Sequence, residues 1–176
     1  GTMALAGLDL ELKRGAIQVD DRLRTNVPGI WAAGDVTAKS MLAHTASRQA
    51  EVVINNLFGG GDRMRYHAIP GVIYTSPEVA AVGLSEAQAK AEGIPVLTGK
   101  WNFAANGRFL AEYTGKGLIK AVVHAQTKQL LGVAAIGGAV SEMTAGWSAA
   151  IEAEFRVQEL TELVFPHPTV GGRHLV

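Results

Sequence analysis

Cysteine is absent from all 176 residues. Within this chain that excludes disulfide scaffolding, thiolate catalysis and cysteine-ligated metals. Net charge is absent too, because sixteen basic and sixteen acidic residues cancel. A nucleic-acid or anionic-membrane surface is therefore not the main business of the chain. No apolar run approaches the length of a membrane span. The five histidines (His44, His67, His124, His167 and His174) lack metal-ligand spacing, so no metal is expected. The glycine fingerprint that opens a dinucleotide-binding domain between its first strand and helix is also missing. The glycine cluster Gly59-Gly60-Gly61 instead follows a helical pattern and precedes Asp62-Arg63, which reads as a loop or linker. Gly1-Thr2-Met3 is not a signal peptide and reads as a cloning remnant.

The residues that are present describe an ordinary globular composition, 48% hydrophobic and 18% charged, with enough chain for one substantial core or two small ones. The most informative stretch is Ile30-Trp31-Ala32-Ala33-Gly34-Asp35-Val36. It reads as a short buried strand, Ile30–Ala33, introduced by a Pro28-Gly29 turn. Gly34 keeps the backbone thin at the strand end, and Asp35 then presents one carboxylate there. Ligands of open α/β sheets bind beyond the carboxyl ends of strands. Such a carboxylate either accepts hydrogen bonds from sugar-type hydroxyls or merely caps the following helix. The chain thus carries the late part of a nucleotide-binding fold without the early part.

Periodicity organises the remainder. Gly15–Asp20 alternates like a strand. Met41 to about Leu57 reads as an amphipathic helix whose stripe of Leu42, Ala46, Ala50, Val53, Ile54 and Leu57 should pack on a sheet. Helix starts offer free N–H groups to a ligand, which draws attention to Met41-Leu42-Ala43-His44. Beyond the glycine loop, strands are expected at Val72–Thr75, Val79–Val82, Val96–Phe103, Leu118–Val123 and Leu130–Ile136. Ser85-Glu86-Ala87-Gln88 is a capping box opening a short helix. A longer helix is expected over Ala139–Phe155, with Val140, Met143, Trp147, Ile151 and Phe155 on one face, and a further helical piece over Val157–Val164. Runs of strands followed by helices imply an α+β layer.

In Phe165-Pro166-His167-Pro168-Thr169 two prolines flank one histidine and stiffen its backbone. Stiff placement suits a proton-transfer group, and equally a rigid turn with an incidental histidine.

Several motifs taken together resemble the dihydrolipoamide dehydrogenases, which are flavin disulfide reductases. They are Leu23-Arg24-Thr25-Asn26-Val27-Pro28-Gly29 running into Ile30–Val36, Met41-Leu42-Ala43-His44, Ile73-Tyr74-Thr75-Ser76-Pro77-Glu78-Val79-Ala80, Ala105-Asn106-Gly107-Arg108 and His167-Pro168-Thr169. The similarity runs from Leu5 to Val170 and is to the carboxyl-terminal part of the family. It implies that residues 1–64 are the last segment of a Rossmann-like FAD-binding domain. Residues 65–176 would be the interface, or dimerisation, domain, an antiparallel sheet with helices on one side. It implies that Asp35 meets the ribityl–phosphate region of FAD, that Met41, Leu42, Ala43 and His44 lie near the flavin ring, and that His167 is the acid/base serving a reactive thiol in the partner subunit's site. Electrons would pass from dihydrolipoyl groups through a cysteine pair and FAD to NAD. The parent is expected to be a cytoplasmic homodimer acting on lipoyl domains of 2-oxo acid dehydrogenase complexes, with no nucleic-acid or membrane partner. The chain alone is expected to be an inactive fragment with weak or no FAD binding.

The chain departs from the family at position 172, where Gly172 stands in place of a glutamate that orients the histidine, and Gly171–Val176 does not follow the pattern. Mercuric reductase and glutathione reductase are the neighbouring alternatives. A non-catalytic dimerisation module is the alternative from another class.

Overall fold

The computed structural model describes residues 7–172; the Gly1-Thr2-Met3 opening and the end of the tail, residues 173–176, lie outside the described residues. The chain divides into two compact units, one up to Tyr66 and one from His67.

The first unit begins with a hairpin, β1 (Leu12–Lys13) and β2 (Ala16–Ile17). Its two-residue turn places Arg14 and Gly15 at φ 52° and 82°, the left-handed pair that matches strand twist. The expected strand over Gly15–Asp20 shrinks to those two residues. The Pro28-Gly29 turn forms as expected, with Ile30 N–H donating to the Val27 carbonyl at 3.2 Å and Gly29 at φ 81°, the sign that a type II turn requires.

The strand expected over Ile30–Ala33 does not form. Within Ile30–Ala33 it is Trp31 that joins a bridge, to Arg24. A strand exists only where another backbone completes its ladder, and here Leu23–Thr25 supplies two bonds, Ala32 N–H to the Leu23 carbonyl at 3.1 Å and Thr25 N–H to the Ile30 carbonyl at 3.0 Å.

Helix α1 (Ala43–Leu57) forms where expected but buries a different face. Thr45, Gln49 and Val52 are its buried residues, whereas Ile54 and Leu57 stand half exposed and Phe58 is 87% exposed. Among the described residues of this unit the sheet is the two-stranded β1-β2 hairpin, and the apolar stripe stays exposed at Ile54 and Leu57. The glycine loop folds back on the helix, with Arg48 Nη2 donating to both Asp62 oxygens at 2.7 and 2.9 Å and Asn55 donating at 2.7 Å. Asn55, and Arg48 behind it, hold the Asp62 carboxyl below the usual range.

The second unit is a five-stranded antiparallel sheet in the order β3-β4-β7-β6-β5, formed by β3 (Gly71–Ile73), β4 (Glu78–Gly83), β5 (Val96–Asn102), β6 (Leu118–His124) and β7 (Leu130–Gly137). Register puts Ala80, Ala135 and Ile119 in one column and Val82, Val133 and Ala121 in another. All six are buried under α4 (Val140–Glu152) and α5 (Val157–Glu162). The expected stripe holds for Val140, Trp147 and Ile151, which are buried, and Met143, which packs against them; α4 ends at Glu152, short of the expected Phe155, which still packs on the core from beyond the helix. Glu78, from the Ser-Pro-Glu motif, accepts from Ser141 N–H at 3.0 Å and so caps α4, where a carboxylate also meets the positive end of the helix. The capping box at Ser85 and Gln88 is present on α2 (Glu86–Ala91). The helix α3 (Gly107–Glu112) is an addition to the expected elements.

On the opposite sheet face Lys120 pairs with Glu86 of α2, and an apolar column at the other end is exposed. Leu118, Ile136, Val79 and Ile73 share one cross-strand column, in which Ile73 is 60% exposed and Ile136 41%. The fold is thus α+β, an antiparallel sheet with α4 and α5 packed on one side.

Candidate functional site

The expected site residues fall into two groups, one in each unit.

In the first unit, Gly34 adopts φ 80° and ψ −158°, a combination open essentially to glycine alone. Its carbonyl then accepts from Thr37 twice, from the hydroxyl at 2.8 Å and the N–H at 3.0 Å. This starts a short 3₁₀ turn, Asp35–Thr37. The turn leaves the Asp35 side chain exposed while burying Thr37. The Gly34 N–H donates to Gln49 Oε1 at 2.6 Å. Gln49 is fully buried, and its amide nitrogen donates onward to the Tyr66 hydroxyl at 2.9 Å. One side chain of α1 therefore holds the turn that presents Asp35.

The start of α1 is open. Leu42 is the extended N-cap residue, without a side-chain cap bond. Met41 is 72% exposed, Ala43 and His44 are exposed, and Leu42 is half buried. An exposed carboxylate can accept hydrogen bonds from hydroxyls, and an uncapped helix start leaves N–H groups that a ligand can satisfy. Sequence reasoning missed Gln49.

In the second unit, His167 is exposed on the loop after α5, between Pro166 and Pro168, with a cis His167–Pro168 bond. The Thr169 hydroxyl donates to the Pro166 carbonyl at 2.9 Å, closing the loop around the histidine. Gly172 lies beside it: a Cβ there would sit 3.2 Å from Thr169 Oγ1. His167 shares a cleft of about 670 Å³ with Trp101, Asn106, Arg108 and Phe165. The arrangement can deliver an imidazole to a ligand arriving from outside the unit.

Among the described residues no cluster of His, Asp or Glu could hold a metal ion, and no helix is long and apolar enough to cross a membrane.

An exposed apolar sheet column and a proline-stiffened histidine loop thus stand on the same unit. Residues 69–174 match the dimerisation domain of the pyridine nucleotide-disulphide oxidoreductases, and residues 2–50 match a second model of the pyridine nucleotide-disulphide oxidoreductases. The chain belongs to the pyridine nucleotide-disulphide oxidoreductase family. Similar curated proteins include dihydrolipoyl dehydrogenases from Chlamydia muridarum, 40% identical over 90% of this chain and 34% of that protein, and from Geobacillus stearothermophilus, 41% identical over 90% and 34%. The chain spans about a third of the length of the curated relatives it matches. Among solved structures, LpdA from Mycobacterium tuberculosis superimposes with a TM-score of 0.86 at 26% identity, over 93% of this chain and 36% of that one. The HOCl-induced flavoprotein disulfide reductase RclA from Escherichia coli gives 0.82 at 28%, over 92% and 38%.

Proposed function

We propose that this chain is the carboxyl-terminal part of a dihydrolipoyl dehydrogenase, an oxidoreductase that oxidises protein-bound dihydrolipoyl groups and reduces NAD. The observation that carries this is the identity of about 40% to dihydrolipoyl dehydrogenases across nine-tenths of the chain. It favours these enzymes over mercuric and glutathione reductases and over a non-catalytic module.

Residues 1–64 are the last segment of the FAD-binding domain and residues 65–176 the dimerisation domain. The two compact units meet at Tyr66 and His67, which supports this division. A bound flavin supplies the two-electron relay between dithiol and nicotinamide. Asp35 accepts hydrogen bonds from hydroxyls of the cofactor's sugar-alcohol chain, held toward them by the Gly34 turn and Gln49. Met41, Leu42, Ala43 and His44 flank the ring and offer it the first N–H groups of α1. The exposed faces of α1 at Ile54, Leu57 and Phe58 pack against the remainder of the FAD domain.

His167 takes the proton of the incoming dithiol, so that the thiolate, the stronger nucleophile, attacks the redox disulfide. With no cysteine here, that disulfide comes from outside this chain. The imidazole reaches it across the dimer interface, in the partner subunit. The working unit is therefore a cytoplasmic homodimer that receives lipoyl domains.

The test is a substrate comparison with a full-length protein carrying this sequence. Purified with its flavin, it should reduce NAD with dihydrolipoamide and leave mercuric ion and glutathione disulfide unreduced by NAD(P)H. Preference for either of those acceptors would overturn the assignment.

A further inference from the structure

The motif Ala105-Asn106-Gly107-Arg108 has no part in the functions assigned so far. Asn106 lies between a short 3₁₀ turn, Phe103–Ala105, and α3. Its side-chain oxygen accepts from Phe109 N–H at 2.8 Å, which caps the helix. That bond fixes the amide's orientation, and the nitrogen then points elsewhere. It donates to the Thr169 carbonyl at 3.1 Å, across 63 residues of sequence.

Both ends of this link are anchored. On one side Phe103 and Phe109 flank Asn106, are 0% and 1% exposed, and stack with ring centroids 5.1 Å apart. Phe103 lies so close to Gly117 and Gly137 that a Cβ at either would come within 2.3 or 2.9 Å of its ring. The backbone of residue 106 therefore has little freedom to drift. On the other side Thr169 is tied to Pro166 by its hydroxyl at 2.9 Å. His167 sits inside that closed loop. Position 172, beside the loop, is glycine and supplies no side chain to orient an imidazole.

We propose that Asn106 is a positioning residue for His167: its amide joins the phenylalanine core to the Pro166–Thr169 loop and sets where the imidazole meets the thiol. This rests on the assignment of His167 as the proton acceptor. Proton transfer needs heavy atoms within about 2.6–3.2 Å, and a misplacement of about 1 Å can cost about 10²-fold in rate. A single amide holding the loop is thus enough to matter.

Asn106 is also a helix cap, and the test must separate the two roles. Asn106→Ser retains a good capping oxygen, but its hydroxyl is too short to serve Phe109 and Thr169 together. Asn106→Asp retains the cap and loses the donor. In a full-length protein carrying this sequence, flavin reduction by dihydrolipoamide is compared with NADH-driven reduction of a quinone, which needs no thiol proton transfer. Both variants should lower the ratio of the two rates by about tenfold to a hundredfold, with thermal midpoints close to the parent's. In the 176-residue chain, nitrogen-15 relaxation should show more backbone motion at His167 in Asn106→Ser than in the parent.

An unchanged ratio in both variants, while His167→Gln lowers it, would overturn the role of Asn106 and leave that of His167 standing. An equal fall in both rates would reduce Asn106 to a structural cap. If His167→Gln itself left the ratio unchanged, both assignments would fall. Unchanged relaxation at His167 would also refute the coupling.

Discussion

Gln49 Oε1 accepts a 2.6 Å hydrogen bond from the backbone N–H of Gly34, so a fully buried amide on α1 holds the turn that presents Asp35. The first prediction concerns this pair. Gln49→Leu should destabilise the chain by about 1–3 kcal/mol, because Gly34 N–H is left buried without an acceptor. Gly34→Ala should cost a similar amount for another reason. An added Cβ would meet only Ala46 at an ordinary 3.6 Å, so the penalty is the glycine-only backbone angle, worth about 1–3 kcal/mol. Urea unfolding of both variants checks this, and a Gly34→Ala midpoint equal to the parent's would contradict the geometry.

A second prediction follows from Glu86. Lys120, and then Lys90 at 2.6 Å, pair with its carboxylate. They hold its pKa down from 4.5 to about 2. A carboxylate with a depressed folded pKa stabilises the fold above its unfolded pKa and loses that contribution as pH falls through the folded one. The parent should therefore lose stability between about pH 4.5 and 2 more steeply than Glu86→Gln does. The side chain is partly exposed, so high salt should shrink the difference. Parallel acid-limb curves for the two proteins would count against the pairing.

The exposed sheet column yields a third. Ile73 and Ile136 share it, and exposed apolar patches of this kind mark association sites. The chain should run as a homodimer at micromolar concentration, and Ile136→Asp should yield folded monomer. Light scattering decides between these. A monomeric parent, or a dimeric Ile136→Asp, would place the interface elsewhere.

Amide exchange supplies a fourth. β7 is paired on both sides, with β4 and β6, whereas Trp31 has only an isolated bridge. Amides at Trp31 and Ala32 should exchange well before those at Val133 and Ala135, because local opening follows contact and pairing. Equal protection would mean that the first unit is more cooperative than its pairing indicates.

These cases show what the sequence makes legible. The β4, β6 and β7 strands, the Ser85 capping box and the α4 stripe are readable because each pattern finds its partner inside the same unit. The Ile30–Ala33 run and the α1 stripe read equally well as pattern, yet pattern states what a segment would bury and not whether a partner is present. Helix α3 is too short, and its glycine start too unpromising, to show periodicity. Asp35, Met41–His44 and His167 stand out through local motif and family resemblance. Asn106 falls in a motif of the resemblance, but its link to Thr169 does not show, nor does Gln49, because an amide that bridges 15 or 63 residues of sequence leaves no local signature of the bond.

The role proposed for His167 is that of proton acceptor for the attacking dithiol. Rapid-mixing measurement of flavin reduction by dihydrolipoamide, in a full-length protein carrying this sequence, tests it most directly. His167→Gln, with fold and flavin content retained, should slow that step by about 10²–10⁴-fold, the usual size of a general acid–base contribution. An unchanged rate would contradict the claim and leave His167 a residue in a proline-stiffened turn.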